Sequence, residues 1–313
     1  MKVGMVGLGT MGAAVARNIL RAGFVLTVYD LAREKASSLE AAGAIWADSS
    51  AAVVSASDVI VTMVFGPREL EQVLRDKNGM LSGGMHGKGW IDMTTGSPVL
   101  TRELAAAVEN DGGWAVDAPV TGSVDAAIRG DMIMFVGGDS RAVSSAMPIL
   151  RAIGEPRQVG DIGCGQVAKL TNNLVWKINA AAIGEAMVAA QKAGLDVKTW
   201  WQAMQGGAAD TFVLRHDVPS IFAGHYDPSF PLALCLKDWR LISELLEDTG
   251  VRREVADAAH ARFVEAAERY GESAGEMTVC RLLEEDAGTS LRVKGDWTPP
   301  WEVKHSSESK ERT

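Results

Sequence analysis

The sequence is poor in cysteine, and this shortage excludes a disulfide-stabilised protein. Only three cysteines are present, Cys164, Cys235 and Cys280, and no two of them form a CxxC pair. Free thiols in a reducing, cytoplasmic compartment are therefore expected. Cys164 lies between two glycines, which favours a small residue in a tight turn over a nucleophile.

Basic charge, long apolar runs and metal-ligand patterns are lacking as well. Acidic residues outnumber basic ones by 40 to 31, and the net charge of −9 argues against a nucleic-acid partner. No uncharged apolar run reaches about 18 residues, so no membrane span or membrane partner is expected. Glycines, Arg17 and the lack of a clear cleavage site argue against an export signal. The five histidines have no metal-ligand spacing, and no metal is predicted.

What is present is an ordinary globular composition over 313 residues, enough for about two domains. The first half alternates short apolar runs with helical patterns such as 11–22 and 33–42. This alternation predicts a mostly parallel sheet covered by helices on both faces. The candidate strands are 2–7, 24–29, 59–63, 89–92, 114–118 and 132–136.

The second half reads as helical. From 165 to about 194 apolar residues such as Leu170, Leu174 and Ile178 recur at helical spacing without a break. A helix of that length extends about 40 Å and could join two lobes. The pattern stays helical to about residue 291, without convincing strands. The polar, proline-marked end is predicted to be a mobile tail.

A glycine fingerprint near the N-terminus predicts a dinucleotide site. The segment from Gly7 to Gly12 reads GLGTMG, follows an apolar strand and opens a helix, which is the context that gives GxGxxG its value. Gly7 allows a tight turn, Gly9 lets the backbone approach a pyrophosphate, and Gly12 permits close packing of helix on strand. The free N–H groups of the helix N-terminus favour phosphate.

The residue at the end of the second strand bears on the choice of cofactor. Asp30 is placed to accept hydrogen bonds from the adenosine ribose, and its carboxylate repels a 2′-phosphate, which favours NAD over NADP. Arg33 and Lys35 follow closely and could partly offset this repulsion, so NADP stays possible. Asp30 as a helix N-cap is a compatible alternative.

Two further segments follow predicted strands, where ligands bind in open α/β sheets. Thr95 is a candidate to hydrogen-bond the cofactor, although Thr94 or Ser97 capping the next helix is at least as good a reading for any one hydroxyl. The segment DAPVTGS, which ends in Thr121 and Ser123, offers backbone N–H groups and hydroxyls suited to a carboxylate. A plain strand-to-helix turn is the alternative there.

The long helix carries the most informative pair of side chains. Lys169 and Asn173 are four residues apart and project from one face of the helix, which places an amine beside an amide. Together with the glycine fingerprint, this pair indicates a hydride-transferring enzyme with a lysine as acid/base. Lys237 follows an apolar run, and a lysine in such a place is usually a solvated surface residue.

Four motifs in this order resemble the β-hydroxyacid dehydrogenases, the family that includes 3-hydroxyisobutyrate dehydrogenase. They are GLGTMG at 7–12, DAPVTGS at 117–123, GCGQVAKLTNN at 163–173 and FPLALCLKD at 230–238. The resemblance implies an α/β Rossmann-like N-terminal domain, a long interdomain helix and an all-α C-terminal domain. The corresponding segments are a dinucleotide-binding domain 1–162, the helix 163–193, a substrate and dimerisation domain 194–291 and a flexible tail 292–313.

The resemblance also implies the reaction and the site. It implies reversible oxidation of a short β-hydroxyacid, with Lys169 as general acid/base and Asn173 as a catalytic and substrate-positioning amide. Thr121, Gly122 and Ser123 would bind the substrate carboxylate, and Lys237 would lie near substrate and cofactor. The implied partners are a small anionic hydroxyacid or semialdehyde and further copies of the chain, in a homodimer or homotetramer. The cofactor contacts would be Gly7, Leu8, Gly9, Thr10, Met11, Gly12, Asp30, Leu31, Val64, Phe65, Thr95 and Lys237.

Two departures from the family pattern bear on the substrate. Members commonly have two glycines where this chain has Gly122-Ser123, and a Leu-Pro-Asn type of sequence where it has Val64-Phe65-Gly66. The alternatives are an NADPH-dependent semialdehyde or imine reductase and a non-catalytic nucleotide-binding scaffold. Imine reductases usually replace the lysine and degenerate scaffold members are expected to lose it, so Lys169 argues against an imine reductase and against a scaffold, whereas an NADPH-dependent semialdehyde reductase stays open.

Overall fold

The computed structural model describes residues 1–297, and the predicted tail beyond Trp297 lies outside the described residues. The chain divides into two compact units, Met1–Asn172 and the residues from Asn173 onward. Each unit buries apolar residues of its own.

The first unit is built on one sheet, and the described residues give it nine strands in the order β3-β2-β1-β4-β5-β6-β8-β7, with β9 also paired to β8. The pairs from β3 through to β6, and the pair β8–β9, are parallel, whereas β6 and β7 run antiparallel to β8. The strands are β1 (Lys2–Val6), β2 (Val25–Tyr29), β3 (Ile45–Trp46), β4 (Val59–Thr62), β5 (Gly89–Asp92), β6 (Trp114–Asp117), β7 (Val120–Thr121), β8 (Met132–Gly137) and β9 (Gly154–Gly160).

Helices cover both faces of this sheet, as the alternating pattern predicts. Neighbouring residues of one strand enter different apolar cores: Val59 and Val61 lie in one cluster and Ile60 in the other. Ile91 and Trp90 divide in the same way. The helices of this unit are α1 (Thr10–Arg21), α2 (Ser37–Glu40), α3 (Ser50–Ala56), α4 (Pro67–Arg75), α5 (Pro98–Asn110), α6 (Ser123–Arg129) and α7 (Ser140–Ile153).

The six predicted strands are confirmed with ends that differ by at most one residue, but the pattern missed β3, β7 and β9. β3 and β7 are only two residues long, and β9 is mostly exposed, so none of the three shows an apolar period. The predicted helix 33–42 was too long, because a 3₁₀ turn Arg33–Ala36 precedes the single turn of α2. The 3₁₀ geometry is common in such short connectors.

The long helix α8 (Cys164–Lys192) runs unbroken over 29 residues, and its residues from Asn173 onward belong to the second unit. Among the described residues that unit is helical, apart from one isolated bridge between Pro231 and Gly275. No described helix of either unit is long and apolar enough to cross a membrane. The other helices are α9 (Val197–Met204), α10 (Val218–Ala223), α11 (Leu232–Asp248), α12 (Glu254–Tyr270) and α13 (Thr278–Asp286).

The last described residues return to this unit. Val293 donates its backbone N–H to the carbonyl of Phe222, and the Trp297 ring packs 5.0 Å from the Phe222 ring. The predicted tail 292–313 is therefore held by contacts as far as Trp297. The cysteines are free, as expected from their spacing.

Candidate active site

The strand ends of the first unit align at one edge of the sheet. The parallel register places Tyr29 beside Val6, Val6 beside Thr62, Thr62 beside Asp92, and Asp92 beside Asp117. These are the last residues of β2, β1, β4, β5 and β6. The predicted cofactor and carboxylate residues of this unit all follow one of these five ends, so the structure brings them to a single edge.

The glycine fingerprint has the geometry that a dinucleotide requires. Gly7 has φ of +97°, and a Cβ at this position would overlap the carbonyl oxygen of Met63. A Cβ on Gly12 would overlap the carbonyl oxygen of Gly7, whereas Gly9 has no heavy atom within 4 Å of its Cβ position. α1 begins at Thr10, directly after Gly9, without a side-chain cap. Backbone N–H groups and open space thus fit a pyrophosphate.

Asp30 follows β2 and is tied to the glycine loop. Its carboxylate accepts hydrogen bonds from the backbone N–H of Leu8 at 2.6 Å and of Ala32 at 2.9 Å. The Lys35 ammonium lies 3.2 Å from the same carboxylate. Burial raises the pKa of Asp30, but these N–H groups and Lys35 outweigh it and hold that pKa below its ordinary value. The carboxylate therefore stays ionised. The neighbouring Leu31, another predicted cofactor contact, is almost fully exposed.

The loops after β4 and β5 are joined to each other. The backbone N–H of Val64 donates to the Thr94 hydroxyl at 3.2 Å, so that hydroxyl joins two loops. Ser97, not Thr94, caps α5 by accepting from the N–H of Leu100. Phe65 is half-exposed and Thr95 is partly buried on these adjacent loops. The predicted cofactor residues therefore lie side by side beyond β4 and β5.

The predicted carboxylate loop lies against α8. Thr121 ends β7, and its hydroxyl accepts a hydrogen bond from the amide of Asn172 at 3.4 Å. Gly122 and Ser123 both have positive φ, +123° and +68°, and the Ser123 hydroxyl donates to the Asp125 carboxylate. Asp125 in turn pairs with Arg129 at 2.7 Å. The predicted carboxylate loop and the helix that carries Lys169 are thus neighbours within one unit, and the contact made by Asn172 was not predicted from the sequence.

Ser123 occupies a backbone conformation that suits glycine, and this accounts for the glycine of the family pattern. A left-handed backbone costs a non-glycine residue about 1–2 kcal/mol. We therefore expect Ser123→Gly to be more stable than Ser123→Ala by about 1 kcal/mol, because both lose the hydroxyl and only glycine relieves the backbone. Urea unfolding of the two variants measures this difference.

The same pair of substitutions at Ser144 provides the control. Ser144 is exposed within α7, where alanine is favoured over glycine by about 1 kcal/mol, so the order of stability should reverse. Equal stability of the two Ser123 variants would show that the backbone at this position is not strained.

The start of α8 is anchored to the sheet by a buried carboxylate. Asp117, the last residue of β6, accepts hydrogen bonds from the backbone N–H of Gly163 at 2.7 Å and of Gln166 at 2.8 Å. Burial raises the pKa of Asp117, although these two N–H donors lower it. The carboxylate thus replaces missing helix partners at the N-terminus of α8. Lys169 follows in the next turn, partly buried.

In the second unit, two predicted site residues share one carboxylate. The Asn173 amide donates to Asp238 Oδ2 at 2.7 Å, and the Lys237 ammonium lies 2.8 Å from Asp238 Oδ1. All three side chains are buried, so Lys237 is not the solvated lysine that its local sequence favours. Asp238 thereby fixes the orientation of both neighbours. No role for Asp238 was predicted, and its position directly after Lys237 was the only signal in the sequence.

A second titratable cluster lies inside this unit. Carboxylate oxygens of Asp217, Asp227 and Glu276 are all within 4.8 Å of one another, although the sequence separates the three residues widely. Burial, with repulsion from the two aspartates, raises the pKa of Glu276 well above its ordinary value, against an opposing effect of Lys177. Glu276 therefore keeps its proton at pH values where an exposed glutamic acid has lost it.

Comparison with known proteins assigns the chain to a family. The family described as the NAD binding domain of 6-phosphogluconate dehydrogenase matches residues 2–168. The family described as NAD-binding of NADP-dependent 3-hydroxyisobutyrate dehydrogenase matches residues 163–283. The two matches together span residues 2–283 and so include most of both units.

Individual relatives agree with this assignment. An uncharacterized oxidoreductase of Bacillus subtilis is 33% identical over 90% of this chain and 98% of its own. The 2-hydroxy-3-oxopropionate reductase of Escherichia coli is 35% identical over 77% of this chain and 82% of its own. A 3-hydroxyisobutyrate dehydrogenase of Mycobacterium tuberculosis, solved with L-serine, has a TM-score of 0.83 and 28% identity, covering 90% of this chain and 98% of that one. The chain therefore belongs to the β-hydroxyacid dehydrogenase family and is an NAD(P)-dependent hydroxyacid dehydrogenase.

Proposed function

We propose that the enzyme reversibly oxidises a short β-hydroxyacid of the 3-hydroxyisobutyrate type with NAD, and that Lys169 is its general acid/base. The observation that carries this proposal is the junction of the carboxylate loop and the lysine helix. Asn172 bonds Thr121, and Asp117 fixes the turn of α8 that precedes Lys169. An anion held by the loop would lie beside the helix that carries the amine.

Each residue has a distinct task in this proposal. The Thr121 hydroxyl and the backbone N–H groups of Gly122 and Ser123 bind the substrate carboxylate. Lys169, when neutral, accepts the proton of the substrate hydroxyl, and as an ammonium it returns that proton in the reverse direction. Asn173 hydrogen-bonds the substrate with an amide whose orientation Asp238 sets. The bound nicotinamide supplies the hydride acceptor and donor.

A panel of short hydroxyacids and semialdehydes, assayed with NAD(H) and NADP(H), tests the substrate class. We expect turnover on short β-hydroxyacids with a single carboxylate and on the matching semialdehydes in reverse, because the proposed loop holds one carboxylate. Cyclic imines are included as a contrasting substrate class. Reduction of imines without oxidation of any hydroxyacid would contradict the proposal, and so would cofactor binding without turnover on any member of the panel.

We also propose that NAD is preferred over NADP. The ionised Asp30 carboxylate lies where the adenosine ribose is expected, and it repels a 2′-phosphate. The cations downstream are already engaged. Arg33 forms two hydrogen bonds to Glu40 and lies 4.4 Å over the Trp46 ring, and Lys35 pairs with Asp30 itself. Neither cation therefore outweighs the carboxylate in the intact protein.

Replacing Asp30 with serine should reverse this preference. The change removes the ribose acceptor and the repulsion together, and it releases Lys35 for a phosphate. The ratio of kcat/KM for NAD to that for NADP should fall by roughly 100-fold, since a charged hydrogen bond contributes about 1.5–3 kcal/mol. Asp48→Asn is the control, because Asp48 is a nearby acid that accepts from Trp46 and has no proposed ribose contact. A wild-type enzyme that prefers NADPH would refute the assignment.

A further inference from the structure

Gln166, the third residue of α8, has a completely buried side chain. Both its amide nitrogen and its amide oxygen form hydrogen bonds. Its amide nitrogen donates to the carbonyl oxygen of Thr94 at 2.7 Å and lies 3.4 Å from Asp92 Oδ2. Its amide oxygen accepts from the backbone N–H of Gly96 at 2.9 Å. One side chain therefore hydrogen-bonds the residues before and after Thr95, the predicted cofactor contact.

The backbone N–H of Gln166 also forms a hydrogen bond. Its N–H donates to the Asp117 carboxylate at the end of β6, from which the carboxylate loop departs. Gln166 thus joins three structures that surround the proposed chemistry: the 94–96 loop beyond β5, the 117–123 segment beyond β6, and the first turn of α8. Lys169 is three residues further along that helix, on a neighbouring part of its surface.

We propose that Gln166 is a positioning residue that locks the 94–96 loop to α8 and so sets the place of Lys169 relative to cofactor and substrate. The inference rests on the proposed role of Lys169. A rigid helix transmits a displacement of its first turn directly to the next one. A misplacement of about 1 Å can cost roughly 100-fold in rate, so a lock at this junction matters for turnover even though Gln166 itself reaches no substrate.

The chemistry of the lock requires one donor and one acceptor at the same side-chain end. The Thr94 carbonyl needs a donor and the Gly96 N–H needs an acceptor. A glutamine amide supplies both, a carboxylate supplies acceptors only, and a protonated carboxyl again supplies both. Burial favours the protonated form, and the buried Asp92 beside it has its pKa raised by burial to about 7, against hydrogen bonds from Thr94 and Thr62.

Two substitutions of matched size test the lock. Gln166→Leu removes donor and acceptor, and kcat should fall by roughly 10–100-fold at every pH. The kcat of Gln166→Glu should be lower than that of the wild type, and this difference should shrink as pH falls from about 9 to about 6. The reason is that the introduced carboxyl regains a hydrogen-bond donor when it is protonated. Thr171→Ala is the control on the same helix, since Thr171 is exposed and bonds only its own preceding turn.

Hydrogen exchange in the absence of substrate separates this proposal from the proposed role of Lys169. In Gln166→Leu the amides of 94–96 and 163–169 should exchange faster than in the wild type. Faster exchange together with an active Lys169→Ala variant would remove the lysine mechanism and leave the lock. Unchanged exchange, a leucine variant with more than half of the wild-type kcat, or a pH-independent deficit in Gln166→Glu would each overturn the lock. If the leucine variant does not fold, the glutamate variant carries the test.

Discussion

Replacing Lys169 with alanine should lower kcat by about 10²–10⁴-fold, the range that general acid–base catalysis contributes. Oxidation of the substrate removes a hydride from carbon and a proton from the hydroxyl oxygen, and without the amine that proton must pass to water. The fold should persist, because Lys169 is only partly buried and the start of α8 is held by Asp117 and Gln166. Steady-state kinetics over a range of pH, with NAD and an active β-hydroxyacid, measure the loss.

Two further variants show whether the loss comes from the proton or from the charge. Lys169→Arg keeps the positive charge, but a guanidinium stays protonated in proteins and cannot act as the base. It should therefore be almost as slow as the alanine variant. Lys192→Ala is the matched control, because Lys192 lies in the last turn of the same helix and donates to the Ala287 carbonyl. If Lys169→Ala keeps more than about a tenth of the wild-type kcat, the assignment fails.

The regular part of the fold could be read from the sequence because apolar residues recur at fixed periods. Strands buried on both faces, such as β4, read as continuous apolar runs and were placed to within one residue. The polar strand β9 could not be found in this way. It contains Pro156 and exposed residues, and its pairing with β8 supplies what its own sequence lacks. Pairing is a property of two segments, and a single segment does not display it.

In the candidate site, too, features local to one segment could be predicted, whereas contacts between distant segments could not. Local spacing identified the glycine loop and the lysine helix, since each is a short segment with its chemistry in consecutive turns. The partners that hold these segments were missed. Asp117 bonds Gly163 across 46 residues, and Asn173 bonds Asp238 across 65. Such contacts exist only once the sheet and the helices have formed, so neither composition nor periodicity reveals them.

Gly165 illustrates how much such a distant contact demands of one position. A Cβ on Gly165 would overlap the carbonyl oxygen of Phe135 and lie 2.6 Å from Asp117 Oδ2. Gly165→Ala should therefore push the first turn of α8 off the sheet and weaken the bonds that Asp117 accepts. We expect a loss of about 2–3 kcal/mol in the free energy of unfolding, measured by urea denaturation, because the obstacle is backbone that cannot rotate away.

The same substitution elsewhere on α8 separates this collision from the general preference of helices for alanine. At Gly184 a Cβ would approach Cys280 Sγ at 2.9 Å and Leu283 Cδ1 at 3.0 Å, both of them side-chain atoms that can shift. Gly184→Ala should thus stay within about 1 kcal/mol of the wild type, since helix propensity favours alanine by a similar amount. Gly165→Ala should also lower kcat, because the helix turn that contains Gly165 directly precedes Lys169. Gly184→Ala should leave kcat unchanged. A Gly165→Ala variant that is as stable and active as Gly184→Ala would mean that close packing of α8 against β6 and β8 is not required.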